Sequence, residues 1–141
     1  MARTVFWRLH TASPPERLWE LLTTDAGRAR FWAETSRSEG DRFTLAFSLG
    51  IEEECRILEA VPARRLRFAY FGSEVLIELA PDGRGGTDLA LTNSDVPDED
   101  YEEVLPGWLN VLLPLKAAAD FGIDLRNHDP ARTWRERYVD Q

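Results

Sequence analysis

The chain has 141 residues, a formal net charge of −8 and an apolar share of 43% that includes five tryptophans. That length suits one domain around one core, the apolar content excludes a disordered chain, and the acidic surplus argues against a nucleic-acid backbone or an anionic membrane as partner. A single cysteine, Cys55, excludes an internal disulfide and reads as a small buried hydrophobe inside a strand. No apolar run has secretory or membrane-spanning length, so a cytoplasmic protein is the expectation.

In chain order, residues 4–10 predict a first strand with Val5, Trp7 and Leu9 on one face. A helix follows through "ASPPERLWELLT". Ser13 reads as its N-cap, Glu16 completes a Ser-x-x-Glu box, and the prolines fall in the first turn, where no backbone donor is needed. Asp25 reads as the cap of a second short helix.

From residue 34 to residue 95 the apolar period changes to two. "DRFTLAFS" places Phe43, Leu45 and Phe47 together. "IEEECRILEA" places Ile51, Glu53, Cys55 and Ile57 together. Leu66, Phe68 and Tyr70 share a face in the next run, with Phe71 on the opposite one. Val75, Ile77 and Leu79 follow, then Leu89, Leu91 and Asn93. "EGD", "LG", "VPA", "GS" and "PDGRGG" separate these runs as turns. The last could be mistaken for a phosphate loop, but it lacks the Lys-Ser/Thr ending and lies between strands.

Such a meander has one wet and one apolar face, and the apolar face needs a cover. The only segment of the right size is residues 108–122, where Trp108, Val111, Leu112, Leu115, Ala118, Ala119 and Gly122 recur at helical spacing. Its length of about 22 Å matches a curled sheet. Pro114 bends it, and Pro106 with Gly107 loosens its start. The expected fold is therefore α+β: a curved antiparallel sheet of about six strands wrapped around a long C-terminal helix, with two short helices after the first strand. One domain spans residues 1–127. Residues 128–141 are a tail whose Trp134 and Tyr138 share a short helical face and pack on the body or on a second subunit.

This element order is the helix-grip arrangement, and particular residues narrow it. "ASPPERLWELLTTDAGRARFWA" resembles the N-terminal signature of the START-like (SRPBCC, birch-pollen-allergen-like) superfamily. Leu18–Trp19, Leu22–Thr23, Phe31–Trp32, Gly107–Trp108 and Leu115–Lys116 resemble the family of homologues of the C-terminal domain of the activator of the ninety-kilodalton heat-shock chaperone's ATPase. The ending from Gly122 resembles one bacterial branch of that family. Pro114 departs from its usual uninterrupted helix. The resemblance implies the fold, and it implies three functions: binding of lipids, hormones or polyketides, partnership with a chaperone, or cyclase-type catalysis.

Few residues offer chemistry. His10 and His128 stand at opposite ends of the chain with no zinc-like spacing, so no metal site and no cofactor is expected. Cys55 has no histidine near it in sequence, and no nucleophile turn exists. The polar residues on the apolar face are more telling. Glu53, Tyr70 and Asn93 point the same way as Phe68, Ile77 and Leu91 if alternation holds. A buried, unpaired Glu53 would be a candidate acid or base. Alternatively it sits at the rim, pairs with Arg56 or Arg67, or is turned outward by a bulge.

The ligand-binding set expected from these faces is Trp7, Phe43, Phe47, Glu53, Phe68, Tyr70, Ile77, Leu91, Asn93, Trp108, Leu112 and Leu115. The leading reading is non-catalytic binding of a hydrophobic or lipid-like small molecule between sheet and helix. The alternatives are a chaperone partner, for which the acidic run at 94–104 is the surface to test, and a cyclase or hydratase using Glu53. The tail aromatics also admit a homodimer.

Overall fold

The computed structural model describes residues 1–141. Strand β1 (Ala2–Thr11) leads into helices α1 (Pro15–Thr23) and α2 (Asp25–Arg28). Six further strands follow: β2 (Thr35–Glu39), β3 (Arg42–Ala46), β4 (Glu52–Val61), β5 (Arg65–Tyr70), β6 (Ser73–Pro81) and β7 (Thr87–Pro97). Helices α3 (Tyr101–Gly107) and α4 (Leu109–Lys116) run into a π-helical turn, Ala117–Phe121. The strands form one antiparallel sheet in the order β1-β7-β6-β5-β4-β3-β2. Strands β1 and β2 lie at opposite edges, so the α1–α2 connection spans the full width of the sheet. This is the helix-grip arrangement.

The sheet has seven strands where hydrophobic alternation predicts about six. The additional one, β2, is polar and almost wholly exposed, so it carries no period-two signal. The side chain of Arg28 and its neighbours hold it in place. That side chain is 2% exposed. Its Nε–H donates to the Leu22 carbonyl, and its Nη1 reaches Asp25, Ser36 and Ser38. Its guanidinium also lies 4.0 Å from the centroid of the Phe43 ring. Asp25 is therefore the receiver of β2 rather than a helix cap: it accepts hydrogen bonds from both serine hydroxyls and from the backbone of Ser38. The cap of α2 is Thr24, which accepts from the Gly27 N–H. Gly27 is required by close packing, since a Cβ there would lie 2.6 Å from the Leu21 Cα.

The Ser13 box also fails to form. Pro14 occupies the N-cap of α1 without a side-chain hydrogen bond. Asp120, in the π-helical turn, takes Ser13 instead, accepting from the backbone N–H groups of Ala12 and Ser13 and from the Ser13 hydroxyl. Lys116 closes the knot by donating to His10 O and Asp120. A tertiary contact thus replaced a local one, and it ties the end of the last helix to the start of α1.

The core is the set of inward positions read from the alternation. Leu45, Cys55, Leu66, Phe68, Val75, Ile77, Leu89 and Leu91 meet Leu18, Leu21, Leu22, Trp108, Leu112 and Leu115. Burial pushes the Cys55 thiol up to about 12, so it is an inert core residue. The helical run is longer than expected because the acidic stretch before Trp108 is itself helical. Trp108 joins α3 to α4 with helical angles, and Gly122 ends the run at φ +64°. No helix is long and apolar enough to cross a membrane.

Candidate functional site

The twelve residues expected to line a pocket lie in four different surroundings. Phe43, Phe68, Ile77, Leu91, Leu112 and Leu115 are buried and packed against one another. They belong to the packed core, and none of them lines the open cleft. Trp7 donates its indole N–H to the Leu105 carbonyl at 3.0 Å and pins α3 to β1. Trp108 donates to Asn93 Oδ1 at 3.0 Å, while the Asn93 amide donates to Ser73 Oγ and the Glu74 carbonyl. These polar groups satisfy one another.

Glu53 shares the face of Cys55 but lies toward the rim, where it accepts the Phe71 N–H at 2.6 Å. It pairs with neither arginine considered for it: Arg67 binds Glu59 and Glu74, and Arg56 lies against Asp41.

Phe47 and Tyr70 do line an open space. A cleft of about 420 Å³ lies at one end of the grip, beside the loop after β3. That loop supplies Phe47, Leu49 and Ile51, and the β5–β6 turn supplies Phe71. The helical run supplies Glu103, Gly107, Asn110 and Val111, and the chain beyond it supplies Arg126, Trp134, Arg135 and Gln141. Trp32 and Tyr70 form the floor. They belong to an aromatic stack in which Trp32 lies 5.6 Å from Phe68 and Tyr70 lies 5.2 Å from Trp108, between ring centroids.

Polar groups of the cleft are left free, among them the Tyr70 hydroxyl proton and the Asn110 amide. The Tyr70 hydroxyl accepts from the Trp32 indole at 3.3 Å, and its own proton has no protein acceptor. Burial pushes the phenol far up, so it stays a neutral donor. Asn110 adds an amide without a protein partner.

The backbone around the cleft is strained. Phe71 and Gly72, at φ +47° and +73°, form the two-residue turn that joins Tyr70 to Ser73. Such a turn favours Asn or Gly, yet an aromatic occupies its first position and is 50% exposed. Leu49 is another apolar residue at positive φ, +73°. Each costs about 1 kcal/mol or more relative to glycine.

Sequence alternation put Phe71 on the wet face and assigned the turn to Gly72–Ser73. The signal that could have found it is the Phe-Gly pair directly after a strand. Leu49, Asn110, Arg126, Arg135 and Gln141 carried no signal, because only tertiary structure brings them to the cleft. No three His, Cys, Asp or Glu side chains are grouped to hold a metal ion.

The sequence pattern of the family described as "Activator of Hsp90 ATPase homolog 1-like protein" matches residues 12–120. No curated protein matches the chain. Among solved structures, a protein from Staphylococcus saprophyticus is 20% identical, with a TM-score of 0.77 over 88% of this chain and 96% of that one. The Aha1 dimer from Colwellia psychrerythraea is 20% identical, with a TM-score of 0.77 over 85% and 98%. CalU16 from Micromonospora echinospora is 28% identical, with a TM-score of 0.65 over 79% and 72%.

Proposed function

We propose, from the premise that this chain belongs to the Activator of Hsp90 ATPase homolog 1-like family, that it is a ligand-binding domain whose cleft holds an apolar small molecule. The observation that carries this reading is the pair of strained apolar residues, Phe71 and Leu49, held open around the aromatic floor. A chain selected only for stability would place Asn or Gly at such positions. The free Tyr70 hydroxyl and the Asn110 amide suit a ligand with at least one hydrogen-bond acceptor among its apolar atoms. Binding needs no catalytic group, and Glu53 is already engaged by the Phe71 backbone.

The test is a pair of mass spectra on freshly purified protein, one native and one denaturing. A mass excess that disappears on denaturation is the expected result. A bare native mass, together with no binding of an apolar fluorescent dye, would overturn the reading. The Colwellia relative is described as a dimer, and the same native spectrum reads whether two copies of this chain associate.

The family description favours a second reading, in which the chain acts on a chaperone ATPase. The exposed acidic residues Glu99, Asp100 and Glu102 are then the face to test. An unchanged ATPase rate at saturating protein removes that reading.

A further inference from the structure

Residues 122–141 begin just past the span that matches the family pattern, yet they supply one wall of the cleft through Arg126, Trp134, Arg135 and Gln141. They contain only one short helical turn, Trp134–Glu136, so side chains must hold them to the body. Two ties lie close together. Arg126, 5% exposed, donates to the carbonyls of Ala29 and Ala33 and to Asp124. His128 lies between two carboxylates, with Nδ1 2.9 Å from both oxygens of Glu34 and Nε2 2.8 Å from Asp124 Oδ2. Farther along, the Trp134 indole donates to Glu103 on α3 at 3.3 Å, which sets that ring against the cleft.

The geometry at His128 requires a charge. A carboxylate only accepts hydrogen bonds, and a neutral imidazole carries one N–H. Both contacts are hydrogen bonds only in the imidazolium. In the neutral ring, whichever tautomer forms, one lone pair faces a carboxylate. Glu34 belongs to the body, between α2 and β2, whereas Asp124 and His128 belong to the tail. Arg126 is the other charged group facing the ring, and it is already chelated by Asp124.

We infer that residues 122–141 form a strap that decides what the cleft admits, with Arg126 as its fixed end and protonated His128 as its fastener. The inference rests on the ligand-binding reading for its consequence but not for its geometry. Hydrogen bonds to Asp124 and Glu34 hold the imidazole's pKa above its ordinary value of 6.5. A group whose pKa is raised on folding contributes fully below its unfolded value, and the contribution is lost as pH rises through the folded value. The strap is therefore fastened below about 6.5 and loosens once pH passes the raised value.

The test follows the full-length protein by NMR from about pH 5.5 to about pH 9, the range in which histidine charge changes. The readouts are the Trp134 indole N–H and the amides of residues 129–141. Affinity for 1-anilinonaphthalene-8-sulfonate is measured in parallel. In the native chain the Trp134 signal is expected to follow the His128 ring titration, with dye affinity changing by about fivefold across it. In His128→Gln both profiles become flat, and in Glu34→Ala the Trp134 signal takes its high-pH value throughout.

A Trp134 signal that ignores the His128 titration, or that titrates equally in His128→Gln, would overturn the inference. If the strap titrates while dye binds at no pH, the fastener stands and the ligand reading fails, so the two failures are told apart.

Discussion

Two aromatic groups share the inner side of this sheet and differ in what covers them. Phe43 and Phe68 lie under the helices, 5.6 Å apart and both essentially unexposed. Phe47 and Phe71, 6.1 Å apart, lie at the end of the grip, where the helical run lines an open cleft without filling it. The residue type is the same and the role is not. An aromatic packed under the helices becomes core, and one left beside open space between loop, helix and tail becomes the wall of a cleft. Composition therefore says that a pocket can exist in this fold, and coverage decides where it lies.

The sharpest way to break the comparison is Phe68→Ala. Removing a fully buried ring should cost about 4 kcal/mol, through lost transfer energy and an incompletely collapsed cavity. Urea unfolding reads it. A loss below about 1 kcal/mol would mean that the core end is as loose as the cleft end. Arg28→Met comes next. It removes the donor to the Leu22 carbonyl and one donor each to Asp25 and two serine hydroxyls, beside the Phe43 ring. Because Asp25 is partly exposed, the cost is set at about 2 kcal/mol, below that of breaking a fully buried ion pair. Amide exchange in β2 should rise more than in β7, since Arg28 fastens that edge.

Asn93→Leu is smaller and more local. It orphans the Trp108 indole N–H, whose partner is buried with it, at about 1 to 2 kcal/mol. The structure assigns Asn93 to this internal network, so dye affinity at the cleft should change by only about threefold, passed on through Trp108 to the Tyr70 ring 5.2 Å from it. A large loss of affinity with little loss of stability would return Asn93 to the ligand-orienting role that its strand face suggested.

The sequence made one end of this comparison legible. Alternation placed Cys55, Leu66, Phe68, Val75, Ile77 and Leu91 inward, and helical spacing placed Trp108, Leu112 and Leu115 against them, because burial imposes a period on each element. It was silent on β2, whose position comes from Asp25 and Arg28 and not from hydrophobic pattern. It misplaced the caps at Ser13 and Asp25, because carboxylate and hydroxyl groups that suit a local cap suit a distant partner equally well. At the cleft it found Phe47 and Tyr70, which keep the strand period. It missed Phe71 and Leu49, which leave that period by turning into the left-handed region. The proposed site in this chain gathers where periodicity stops.

Phe71→Asn has the smallest expected effect on stability and tests that statement directly. The ring is half exposed, so its removal forfeits about 1 kcal/mol of burial. Asparagine accepts the φ of +47° with less strain, which returns a similar amount. The turn keeps its Gly72 and the hydrogen bond from the residue 71 N–H to Glu53. Stability should therefore change by less than about 1 kcal/mol in either direction, while affinity for an apolar dye falls by about tenfold, as befits one aromatic wall removed from a small site. A gain in stability with the affinity loss would mean that the strain is kept for binding. A stability loss as large as that of Phe68→Ala would show Phe71 to be core, and the difference between the two ends would disappear.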